Sequence, residues 1–67
     1  MEQYVRFTYT NYRGEVAPRL VLPIRLYYGT TEHHPTAQWL LEALDYDKQA
    51  VRHFALADMQ GWSPWQA

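Results

Sequence analysis

Cysteine is missing altogether from the 67 residues, and with it two common ways of holding a small domain together. Disulfides are excluded, and so are thiolate ligands for a structural zinc. The same absence fits a reducing compartment. Long apolar runs are missing too. No stretch approaches the roughly 20 residues a membrane-spanning helix needs, and no basic start leads into an apolar run as in a signal peptide. The expectation is a soluble, cytoplasmic protein with no membrane partner. A basic excess is also lacking, since 6 Lys and Arg face 7 Asp and Glu. A protein built to hold duplex DNA through its phosphates carries a positive surplus, although a local basic face stays compatible with this balance. No nucleophile, base and orienting group stand out as a set, so no catalytic residue and no cofactor is assigned. The chain reads as non-enzymatic.

What is present is aromatic: 3 Trp, 6 Tyr and 2 Phe. A single domain of this size buries only about 60% of the surface its unfolded chain exposes. Aromatic side chains, each able to bury roughly 150–250 Å², are the obvious compensation, and pairing as a homodimer would be a second.

From Gln3 to Thr10 the chain alternates, with Val5, Phe7 and Tyr9 on one face and Tyr4, Arg6 and Thr8 on the other. Period two with β-branched and aromatic residues predicts a half-buried strand. Asn11-Tyr12-Arg13-Gly14 supplies turn chemistry. Glu15 to Tyr28 is extended but carries Pro18 and Pro23, which suit edges and bends. Two strands are predicted there, Arg19–Leu22 and Ile24–Tyr28, with Leu20 and Leu22 towards the core and Arg19 and Val21 away from it. Gly29 to Thr36 is a polar loop, long for so small a domain, and long loops often carry function.

Gln38 to Asp45 holds the densest apolar residues and should run through the core. Its period is ambiguous. Leu40, Leu41, Leu44, Val51, Phe54 and Ala55 fall near a helical repeat, which would make a helical hairpin capped at Thr36. Read as strands, Trp39, Leu41 and Ala43 oppose Gln38, Leu40 and Glu42, a turn covers Asp45–Gln49, and a fifth strand covers Val51–Leu56. Gly61-Trp62-Ser63-Pro64-Trp65-Gln66-Ala67 reads as an irregular tail after a domain spanning residues 1–60; its two tryptophans either fold back on that domain, the favoured reading, or dock on another chain.

Four short patterns recur in order: Phe7-x-Tyr9 with Gly14 after a turn, Arg19-x-Val21-x-Pro23, Trp39-Leu40-Leu41-x-Ala43, and Arg52-x-Phe54-x-Leu56. Together they resemble the WYL domain, from about Val5 to Met59. That resemblance implies an all-β fold, a small five-stranded Sm/SH3-like barrel, and so decides the ambiguous segment in favour of strands. It also implies a ligand-sensing or nucleic-acid-binding module of the kind found in bacterial and phage transcription regulators, here without its own DNA-binding domain. The implied partners are an anionic ligand, a nucleotide or single-stranded nucleic acid, and a regulatory protein. Leu40 stands where the family's namesake triplet has Tyr. Ala55 and Asp58 stand where later arginines are usual, which removes two positive groups from any anion site.

Arg19 and Arg52 match family positions, and a guanidinium fits phosphate or carboxylate with a planar fork of donors. They head the predicted ligand-binding set, with Tyr28, Trp39 and His53. The plainer reading is that each arginine pairs with a carboxylate such as Glu15, Glu42 or Asp45. Tyr4, Tyr12, Tyr27 and Tyr28 could form a stacking platform for bases, though aromatics in so short a chain more often pack. Glu32, His33, His34 and His53 match no standard metal spacing and read as polar loop and strand residues. The competing function is an adaptor that binds protein through an exposed Tyr and Trp surface.

Overall fold

The computed structural model describes residues 2–65. Its elements are β1 (Val5–Thr10), β2 (Val16–Gly29), β3 (Gln38–Asp45), β4 (Ala50–Ala55), a 3-10 turn (Leu56–Asp58) and β5 (Met59–Pro64). All five strands are antiparallel neighbours in one sheet of order β4-β3-β2-β1-β5. Among the described residues no helix is long and apolar enough to cross a membrane.

β1 forms as its alternation predicts: Val5, Phe7 and Tyr9 are buried, while Arg6 and Thr8 between them are exposed. The turn after it is tied by Asn11, whose side-chain oxygen accepts the backbone N–H groups of Arg13 and Glu15, both at 2.9 Å. Gly14 sits at φ 79°, a conformation that costs a residue without a Cβ little.

β2 is one strand of 14 residues where two were predicted. Pro23 bends it without ending it, because the register to β3 slips at Ile24, between the pairs Pro23–Ala43 and Arg25–Glu42. The predicted facing of its first half is also reversed. Phe7 lies opposite Arg19 and Val5 opposite Val21, so Val21 is fully buried and Arg19 shares its face. Leu20 and Leu22 are only partly buried. A shift of one residue moves every side chain to the other face, and the pairing with β1, invisible in β2 alone, sets it.

Gln38–Asp45 is a strand, β3, paired on both sides. Two ladders outweigh a small helical preference. Leu40, Leu41 and Ala43 are buried, but Trp39, its largest residue, is more than half exposed. Asp45 closes the next turn by accepting the N–H groups of Asp47 (3.0 Å) and Lys48 (3.3 Å).

Two further expectations change. The sheet is open, with β4 and β5 at its edges, so a closed barrel is not what the pairing shows. The 3-10 turn carries the chain directly from one edge to the other, and side chains fill the space between them. Phe54 of β4 meets Phe7 at 5.3 Å and Tyr9 at 5.0 Å, both edge to face. The fifth strand is Met59–Pro64, on β1, and it runs through the start of the expected tail. Trp62 stacks on Phe7 at 5.8 Å. The Trp65 N–H donates to the Tyr4 carbonyl at 2.9 Å. Gln66 and Ala67 lie outside the described residues.

Candidate functional site

Tyr9 is the last core residue of β1, and its hydroxyl sits at the rim where β1, β4 and the loop 30–37 approach one another. It accepts the backbone N–H of Ala55 at 2.9 Å and lies 3.4 Å from Nε2 of His34. Nδ1 of the same ring lies 3.1 Å from Oγ1 of Thr31. Thr31 and His34 also exchange two backbone hydrogen bonds, at 2.9 and 3.1 Å, so the loop holds its histidine against the sheet. Burial, the largest influence, raises the Tyr9 pKa above its ordinary value, and nearby Asp58 adds to this. The Ala55 hydrogen bond, Arg19 and Arg52 act the other way.

These elements enclose a cleft of about 470 Å³, lined by Tyr9, Arg19, His34, Arg52, His53 and Phe54 among others. Arg19 reaches it from the core face of β2. Its Nε is buried and has no hydrogen-bond partner in the protein. A buried donor left unpaired costs about 1–3 kcal/mol. Arg52 reaches the cleft from β4, whose register places it opposite buried Ala43. Its Nη1 lies 3.8 Å from Oδ2 of Asp45, too far for a hydrogen bond. The buried Oδ2 has no other partner. Neither guanidinium is therefore saturated by carboxylate. Glu32 is the one acidic side chain on the lining itself, and Asp45 lies within ion-pair distance of Arg52 from outside it. Among the described residues no three His, Asp or Glu side chains gather as a metal site requires.

Of the five residues singled out from sequence, Arg19, Arg52 and His53 line this cleft. Tyr28 and Trp39 do not. They are cross-strand partners of β2 and β3, packed edge to face at 5.4 Å and exposed elsewhere on the sheet. His53 also touches the outer network, its Nδ1 2.7 Å from the Tyr27 hydroxyl. Tyr9 and His34 were missed as site residues. Tyr9 reads from sequence as one more core position, because nothing local says that its hydroxyl reaches a rim. The signal for His34 was the length of its loop.

A scan against protein-family profiles matches the WYL domain over residues 1–64. No curated protein and no solved structure matches the chain. The profile spans all of β1 to β5, including Arg19, Arg52 and the strand that bears Trp39. On that coverage the chain belongs to the WYL domain family.

Proposed function

We propose that this WYL domain is a non-enzymatic binding module of a regulatory system, and that its cleft takes an anionic ligand, a nucleotide or a short single-stranded nucleic acid. The observation that carries the reading is the pair Arg19 and Arg52 on one cleft, the first with a buried donor lacking a protein partner. A phosphate oxygen offers a guanidinium on such a lining a charge-assisted hydrogen bond. Tyr12, largely exposed on the same lining, could meet the flat face of a base.

The charge is modest, and the ligand should be correspondingly small. Ala55, where the family often has arginine, is buried and spends its N–H on Tyr9. With two arginines engaged on a single strand, log K should fall against log salt with a slope of about −1.4, where a multi-phosphate groove would be far steeper.

The test is a titration with short fluorescent single-stranded DNA and RNA at low and moderate salt, with wild type beside Arg19→Ala and Arg52→Ala. Salt-dependent binding lost in both variants, with circular dichroism unchanged, is the expected result. No binding under any condition would favour the second reading, an adaptor for a regulatory protein. That reading draws on the exposed Tyr28–Trp39 pair, which lies outside the cleft.

A further inference from the structure

Among the described residues four stretches of strand edge lack a strand partner, one of them Val16–Arg19 on the β3 side of β2, which carries Pro18 and Arg19; they differ in how they are protected. Exposed edges invite pairing with another chain unless a charge, proline or bulge blocks them. β4 carries Arg52 and His53, and the Ala55 N–H is taken by the Tyr9 hydroxyl. β5 has a register irregularity against β1, a Gly61 at φ 68° and a terminal Pro64. The fourth edge is the outer half of β2. β1 pairs with β2 only from Val16 to Val21. Beyond that point Pro23 lacks an N–H and Ile24 is the bulge, so the ladder stops. The segment preceding β1 is tied the other way, with the Tyr4 carbonyl accepting the Trp65 N–H. Ile24–Gly29 is thus paired to β3 on one side and, among the described residues, to no strand on the other.

Pro23 and the Ile24 bulge guard only the inner end of this edge. Its one charged residue, Arg25, is tied to Glu42 of β3 and lies over the Tyr27 ring at 4.4 Å. Ile24, Leu26 and Tyr28, with the neighbouring Trp39, are all more than half exposed. A row of exposed backbone N–H and C=O groups, otherwise met by water, is a template for another extended strand.

We propose that the occupant is a second copy of this chain, its Ile24–Gly29 pairing antiparallel with the first about a two-fold axis at Leu26. The segment is self-complementary in that register. Leu26 faces Leu26, Ile24 faces Tyr28, and Arg25 faces the partner's Tyr27, repeating across the axis the cation–ring contact already made within one chain. A register centred on Tyr27 would set Arg25 against Gly29 and forfeit that contact. The two sheets then form one continuous sheet, and both clefts stay open because none of these residues lines them. Six residues a side make a small interface, so the pairing is weak and depends on concentration.

The chain lacks cysteine, which makes the test direct. Sedimentation velocity across micromolar to millimolar protein should show growth from 8.0 kDa to twice that mass. Leu26→Lys, which sets two like charges opposite each other, should weaken the dimer about tenfold or more, with circular dichroism unchanged. Val51→Lys, equally exposed but on the β4 edge, should leave it intact. Leu26→Cys should oxidise rapidly to a cross-linked dimer, because cross-strand pairs on an axis have disulfide spacing, whereas Val51→Cys should not. A monomer throughout, a dimer indifferent to Leu26→Lys, or faster cross-linking through position 51 would each overturn the proposal.

Discussion

The two faces of the sheet treat their arginines in opposite ways. On the outer face Arg25 is saturated: it pairs with Glu42 and covers the Tyr27 ring, while the Tyr27 hydroxyl meets His53 at 2.7 Å. That ladder crosses β2, β3 and β4 and satisfies its polar groups with one another. On the core face Arg19, six residues earlier on the same strand, has a buried Nε with no protein partner, and Arg52 has only a long contact to Asp45. A charge that the fold has already answered is part of the structure. A charge left unanswered beside a cleft is available to a ligand.

That contrast can be broken at several points. The largest effect should come from Tyr9→Phe, which leaves the buried Ala55 N–H unpaired and should cost about 1–3 kcal/mol, or roughly 4–8 °C in Tm per kcal/mol for a domain this small. Thermal melts check this. Alkaline pH probes the same group. The folded-state pKa of Tyr9 lies above the unfolded value near 10.0, so its protonated form is favoured by folding. This contribution is intact below pH 10, falls as pH rises through the folded pKa, and is constant beyond it. Urea melts across that window should show a decline in wild type that is reduced in Tyr9→Phe. Arg25→Ala removes a largely exposed ion pair and should cost about 0–1 kcal/mol with no change in ligand binding. The smallest effect on stability should come from Arg19→Met, which keeps the aliphatic stem and deletes the unpaired donor. Its melting temperature should hold or rise while binding of a nucleotide or oligonucleotide is lost.

Much of the architecture was legible in the sequence because it was written locally. The alternation of Val5, Phe7 and Tyr9 marks β1, and Asn11 with Gly14 marks its turn. Arg19 and Arg52 could be paired as candidates from their family positions alone. What was not legible depended on partners distant in sequence. The face of Val21 is decided by Val5 across the ladder. Strand β5 contains Gly61 and Pro64, poor strand formers, and exists because β1 offers it an edge. Tyr28 and Trp39 looked like site residues because they are aromatic and close to the motifs. Bend and twist carry them to the outer half of the β2–β3 ribbon, away from the cleft. Tyr9 was hidden for the converse reason, since a core tyrosine reveals its hydroxyl's role only when another strand arrives.

The most direct measurement is an NMR titration that follows the arginine Nε–H signals while a short single-stranded oligonucleotide is added. The expected result is a large shift and slowed exchange for Arg19, a smaller shift for Arg52, and no change for Arg25. An Arg19 signal that stays put while the oligonucleotide binds, or a response confined to Arg25, would contradict the assignment of the cleft as the ligand site.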